Sequence, residues 1–267
     1  MVLRVVACLL LGLMMAAPVL YGFSISLMQE RDIMSYPPKL FPVNSSLMNY
    51  AHVLRTIPIF RFIGNSAFVS LSVCLGQILT CSMAAYAFVF FRFKARGALF
   101  IAVLATMMIP GEATIIANFL TISSMGLSDT YQALILPFTT SAMGVFLVRQ
   151  FYLTTPKELK EAAQIDGCGD IQFFAKILLP LSTPVLGALS VYTIINTWNQ
   201  YMWPLLVTNT PEKRTVQIGI SMLQFQESLS MGLINAGCIC ILAPSILFFA
   251  IGHKKMAQSL TAGAVKG

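Results

Sequence analysis

The run FIGNSAFVSLSVCLGQILTCSMAAYAFVFF fills residues 62–91 without one Asp, Glu, Lys, Arg or His. A hydrocarbon core about 30 Å thick needs about 20 apolar helical residues to cross it. This run exceeds that length, so it predicts a spanning helix that tilts or projects beyond the lipid. Its apolar residues are continuous, whereas a barrel strand alternates them with polar ones. Lipid offers no partner to backbone N–H and C=O groups, and a helix satisfies them within itself. Asn65, Ser66, Ser70 and Ser72 lie inside the run. Polar residues at such depth either line a transport path or bond neighbouring helices together.

Five further apolar runs lie outward from this one, at about 5–27, 98–116, 131–147, 183–207 and 231–252. Hydrophobic residues make up 57% of the 267-residue chain and charged residues only 10%. Soluble domains carry about 25% charged residues, so a soluble globule is excluded. The expectation is one all-α polytopic membrane domain over 1–267 with six transmembrane helices. Arg4 precedes the first run as in a signal peptide, but the run is too long for a typical h-region, so it is expected to remain as the first helix.

The net charge of +7 reads as membrane topology and not as a nucleic-acid footprint, because the cations sit between the apolar runs. Arg4, Arg92, Lys94, Arg96, Arg149, Lys157, Lys160, Lys176, Lys254, Lys255 and Lys266 fall on one side. Arg31, Lys39, Arg55, Arg61, Lys213 and Arg214 fall on the other. The richer side is expected to be cytoplasmic, with both termini inside. Outer segments follow at about 28–61, 110–130 and 208–230. The first holds Pro37, Pro38, Pro42 and Pro58 and reads as an irregular loop with room for a short helix. The second reads as a helix at the interface, with Glu112 and Asp129 as helix caps or contacts to an external protein. The six cysteines lie mostly in apolar runs and read as reduced packing residues. His52 and His253 lack partners of metal-ligand or catalytic type, so neither a metal nor a catalytic site is expected.

Residues 155–184 break this apolar pattern. They hold Glu158, Glu161, Asp166 and Asp170 with Lys157, Lys160 and Lys176. Thr155 as N-cap, Pro156 at the first helical position and Glu158 in the first turn predict a helix start. Leu159, Ala162, Ala163 and Ile165 supply its apolar strip, and Gly167 can take the positive φ that ends it. A second helical stretch from Asp170 leads to Pro180 and back into the membrane. A solvated connector would show similar charge. The small alanines and nearby acids also suit close docking against a basic surface of another protein.

Glu161-Ala162-Ala163, then three residues, Gly167, nine residues and Ile177-Leu178-Leu179-Pro180 resembles the EAA loop of binding-protein-dependent ABC importer permeases. The flanks Phe146-Leu147-Val148-Arg149-Gln150-Phe151 and Trp198-Asn199-Gln200-Tyr201-Met202-Trp203-Pro204-Leu205 are similar to its carbohydrate-uptake branch. The resemblance implies a type I ABC importer permease fold and a loop that couples to an ATPase through Glu158, Glu161, Ala162, Ala163, Asp166, Gly167 and Pro180. It further implies a second, different permease, two ATPase subunits and an external solute-binding protein as partners. ATP and magnesium would then belong to the ATPase. This chain itself has no GxxxxGK[ST] phosphate loop and is expected to be no enzyme.

In the fifth run, Tyr192, Asn196, Asn199 and Trp203 follow spacings of four, three and four, which predicts one helical face; Gln200 adjoins it. Amides bond hydroxyls and rings cover apolar sugar faces. Together with Asn65 these residues are candidates for the path of a sugar or sugar-like solute, or for helix-to-helix bonding. A glycerol-phosphate solute is the alternative, although no Lys or Arg lies well inside a run. An ion-driven transporter or channel is a more distant alternative, because neither inverted repeats nor intramembrane acids are present.

Overall fold

The computed structural model describes residues 2–226 and 230–246, and every regular element among them is helical. The chain runs through α1 (Val2–Ser26), α2 (Glu30–Ile33), α3 (Met48–Thr56), α4 (Ile59–Phe90) and α5 (Arg96–Ala105) with a 3₁₀ turn at Thr106–Met108. It continues through α6 (Gly111–Ser124), α7 (Tyr131–Ile135) with a 3₁₀ turn at Leu136–Phe138, α8 (Ala142–Leu153) and α9 (Lys157–Ile165). Next come α10 (Asp170–Phe173), a π-helical turn at Phe174–Leu178, α11 (Leu179–Leu181), α12 (Thr183–Trp198), α13 (Met202–Val207), α14 (Val216–Gln226) and α15 (Met231–Ile246).

Two compact units divide the chain, one of Met1–Gly64 with Arg214–Ile246, the other containing Asn65–Lys213. In the first unit, Asn49 donates its amide to the carbonyls of Ser26 and Met28, both at 2.9 Å. The Tyr50 hydroxyl meets Ser26 Oγ at 2.7 Å. Helix α3 thus supplies partners at the end of α1, where carbonyls have none within the helix. Gly232 packs on Asn49 so closely that a Cβ would lie 2.6 Å from its Nδ2. In the second unit, one apolar cluster joins α4, α8, α9, α10, the π turn and α12 through Tyr86, Val148, Tyr152, Ala163, Phe173, Leu178 and Leu189. Another joins α4, α6, α7 and α13 through Val69, Ile122, Leu134, Trp203 and Val207.

Among the described residues, two helices are by themselves long and apolar enough to cross a membrane, Arg4–Ser26 and Ile59–Phe90. Among the same residues, three bent pairs could each form one more crossing, with bends of 101° after Met108, 45° after Phe138 and 74° after Leu181. The expected span at 98–116 is therefore corrected, since it breaks before Pro110, which starts α6 with ψ 132°. Proline lacks the N–H that would bond the carbonyl four residues back, and its ring clashes there. The same cause acts at Pro184, and the Thr183 hydroxyl donates to the Pro180 carbonyl at 2.6 Å, the acceptor this proline leaves free. At the break after Phe138, Gln77 Nε2 donates to the Phe138 carbonyl at 2.9 Å and Thr80 Oγ1 to the Thr139 carbonyl at 2.7 Å. Side chains of α4 thereby supply donors that lipid cannot. Of the sixth expected span, residues up to Ile246 are helical; the remainder, with Lys254, Lys255 and Lys266, lies outside the described residues.

Candidate functional site: a docking loop and a polar stripe

Helix α9 begins one residue later than the sequence predicts. Pro156 occupies the N-cap with ψ 136° and Thr155 lies outside the helix. Its far end is a complete Schellman cap. Cys168 N–H donates to the Ala163 carbonyl at 2.8 Å and Gly167 N–H to the Gln164 carbonyl at 3.0 Å. Gly167 has φ +76°, a region that costs about 1–2 kcal/mol for residues with a Cβ. The apolar contact that accompanies such caps is present, because Ala163 and Cys168 both pack in the cluster around Tyr86 and Phe173.

The expected apolar strip of α9 divides between two faces. Leu159 and Ala163 turn inward into that cluster, with Ala163 only 5% exposed. Ala162 and Ile165 turn outward, with Ile165 86% exposed. Glu158, Glu161, Asp166, Gly167 and Pro180 are exposed as well, and Ile171 on α10 is 83% exposed. The outer face therefore combines acids, a small residue and two apolar side chains uncovered in this chain.

Lys160 fixes the inner face. Its ammonium lies 2.9 Å from Asp170 Oδ1 and within 5.1–5.7 Å of the ring centroids of Tyr86, Phe90 and Phe91, inside cation–π range. The Tyr86 hydroxyl lies 3.2 Å from the Asp170 carboxylate, to which it donates. The Lys160 hydrogen bond and charge hold the Asp170 carboxyl below its ordinary pKa, against a smaller opposing effect of burial. A carboxyl depressed in the folded state contributes stability above its unfolded pKa and loses it as pH falls through the folded value. The tie between α9, α10 and the end of α4 is therefore whole at neutral pH and weakens only below about pH 4.

The stripe on α12 is shorter than its spacing predicts. The helix ends at Trp198, and Asn199 and Gln200 lie at a break before α13. Pro204 accounts for the break, because within a longer helix it would collide with the Gln200 carbonyl. Tyr192, Asn196 and Asn199 share one exposed face. Trp203 belongs to α13, is 5% exposed and donates Nε1–H to the Ala133 carbonyl at 3.0 Å. The single face expected for all four residues is corrected accordingly. Asn196 and Asn199 each return Nδ2–H to the carbonyl four residues back, at 2.7 and 2.9 Å. Buried Asn65 donates to the Glu212 carbonyl and accepts from the Tyr131 hydroxyl, both at 2.8 Å.

Sequence reasoning passed over Gln77, whose Oε1 also accepts from the Thr193 hydroxyl at 2.7 Å. An amide in an apolar run, facing a neighbouring run that holds Pro137, was the available signal. On the other side of the chain, Asp129 accepts from the N–H groups of Asn209 (2.9 Å) and Thr210 (3.1 Å). It therefore organises a turn, as a cap does. Burial alone would raise its carboxyl pKa, but these N–H groups and the Lys213 charge outweigh it and lower the value.

Comparison with known proteins agrees with this geometry. The family described as binding-protein-dependent transport system inner membrane component matches residues 39–260. The sn-glycerol-3-phosphate transport system permease protein UgpE of Agrobacterium fabrum is 36% identical over 96% of this chain and 95% of its own. The arabinooligosaccharides transport system permease protein AraQ of Halalkalibacterium halodurans is 33% identical over 85% of this chain and 81% of its own. A chain from the crystal structure of a bacterial ABC transporter that imports the acidic polysaccharide alginate shares the fold, with TM-score 0.83 at 22% identity over 95% of this chain and 96% of that one. The chain belongs to the binding-protein-dependent transport system inner membrane components, as a multi-pass permease subunit of an ABC importer and not an enzyme.

Proposed function

We propose that the loop at 155–184 receives force from a separate ATPase, and that the chain forms half of the path of a sugar or sugar-like solute. The two-faced build of α9 carries the first part. Its inner face is held by Lys160, Leu159 and Ala163, while Glu158, Glu161, Ala162 and Asp166 remain outward. In this role the acids meet basic groups, Ala162 permits close approach and Ala163 anchors the helix. Gly167 closes the helix, and Pro180 leads the chain back to the span. ATP and magnesium act in the ATPase. A second permease, two ATPase subunits and an external solute-binding protein complete the transporter. The Lys and Arg bias supports a cytoplasmic position for this loop and for both termini, in a bacterial inner membrane. ATP-driven closure of the ATPase pair then moves the spans between inward-open and outward-open states.

A photo-crosslinking residue in place of Ile165 or Ile171 tests the docking. Both are expected to capture the ATPase subunit in the assembled transporter. The same residue in place of Met125, 59% exposed beyond α6, is expected not to. An intact complex without capture from either position would overturn the assignment.

The exposed stripe Tyr192, Asn196 and Asn199, with Gln200 at the break, supports a neutral sugar-like solute, whose hydroxyls suit amides and whose apolar face suits a ring. Asn65 and Trp203, already bonded within the chain, shape the wall. Glycerol 3-phosphate is the second candidate, favoured by the name of the Agrobacterium relative. No Lys or Arg lies on α12, so cations for that phosphate would have to come from elsewhere. Binding protein loaded with a neutral oligosaccharide is expected to stimulate the reconstituted ATPase more than binding protein loaded with glycerol 3-phosphate. The reverse order would establish the second candidate.

A further inference from the structure

A cleft of about 540 Å³ opens between the end of α4 and α9. Its charged lining is Arg92, Arg96, Lys157, Lys160 and Glu161, and Phe90 contributes an apolar wall. Lys160 is neutralised by Asp170. That leaves Arg92, Arg96 and Lys157 facing the single carboxylate Glu161, an excess of positive charge. Arg96 also donates Nη1–H to the Phe91 carbonyl at 3.2 Å, which holds its guanidinium beside the turn. The cleft borders the first turn of α9, where the N-cap is a proline and no side chain caps the helix. Leu159 N–H bonds the Pro156 carbonyl at 3.3 Å; the N–H groups of Lys157 and Glu158 precede any acceptor within the helix, and such groups favour a negative ligand.

The height of the cleft narrows the choice of ligand. Helix α4 is an apolar span that ends at Phe90, so Arg92 and Arg96 stand where the chain leaves lipid. Basic pockets at that level receive phosphate-bearing headgroups. The forked donors of arginine match phosphate oxygens in pairs, and an apolar wall beside them suits the start of a lipid tail. We propose that this cleft binds a phosphate ester through Arg92, Arg96 and Lys157, and that the ester is the headgroup of an anionic phospholipid. The proposal does not depend on the docking role of α9.

The intact transporter in nanodiscs of phosphatidylcholine with a minor share of phosphatidylglycerol provides the test, with native mass spectrometry counting the retained phosphatidylglycerol. The double variant Arg92→Gln with Arg96→Gln is expected to weaken retention about tenfold. A control pair, Arg31→Gln with Arg55→Gln, removes the same charge from exposed positions elsewhere and is expected to change nothing. Arg92→Lys with Arg96→Lys is expected to keep most of the binding, which separates a lost ligand from a lost fold. Equal retention in the glutamine pair and the control pair would overturn the site. Displacement of the lipid by millimolar inorganic phosphate would overturn the lipid headgroup as its source.

Discussion

Replacing Glu161 by arginine is expected to cut ATP-driven uptake at least about tenfold while the subunit stays folded in the membrane. Glu161 is exposed at the border of the cleft between α4 and α9, whereas the contacts that hold the helix run through Leu159, Lys160 and Ala163 on the inner side. Surface substitutions away from caps and cores shift stability by about 0.5 kcal/mol or less, so the fold is kept and most of the loss arises at the partner. A charge pair that docking buries and hydrogen-bonds costs about 2–5 kcal/mol when broken on one side, and about 1.4 kcal/mol already corresponds to tenfold in an equilibrium. Arginine also places like charge against a basic partner group. Glu161→Gln keeps the size and removes only the charge, so it is expected to fall between the two. The measurement pairs solute uptake with ATP hydrolysis in the same proteoliposomes. Hydrolysis that continues while uptake fails marks uncoupling, and normal uptake by the arginine variant would exclude Glu161 from coupling.

Local features of this chain were legible in the sequence and non-local ones were not. The run at 62–91 became the unbroken helix Ile59–Phe90, because nothing in it interrupts the backbone ladder. The end of α9 was legible at Gly167, since glycine there signals a left-handed cap. The bends were not, because an averaged apolar window passes over Pro110, Pro184 and Pro204, each of which breaks a run that looks continuous. The outer position of Ala162 and the inner position of Ala163 depend on which side of α9 meets α4. That choice is made by Tyr86 and Asp170, 84 positions apart. Likewise Gln77 acquires its meaning from Phe138 and Thr193, 61 and 116 positions away. The docking loop was therefore found as a motif, while its inner support came only with the fold.

Replacing Gly167 by valine is expected to reduce coupled uptake several-fold, by an effect of the backbone alone. No atom lies within 4 Å of the position a Cβ would take there, so no collision contributes. The cost lies in φ +76°, where a β-branched residue is disfavoured by about 1–2 kcal/mol or more. Relief requires the chain to leave that conformation, which releases the Cys168 and Gly167 hydrogen bonds that end α9. A helix of nine residues has little stability of its own, so the outer face loses its fixed orientation. Asparagine tolerates the left-handed region and is expected to keep most activity, which gives the order glycine, asparagine, alanine, valine. Gly126 supplies the control. It has φ +70° with equally open space around it, and it ends α6 with the same pair of bonds, Leu127 N–H to Ile122 and its own N–H to Ser123. Gly126→Val carries a similar backbone cost on the other side of the chain and is expected to leave hydrolysis and uptake coupled. If both valine variants uncouple alike, the defect is general instability and the cap on α9 has no special part in force transfer. If Gly167→Val alone uncouples, the geometry of this one turn is what holds Glu161 and Ala162 in position to be pushed.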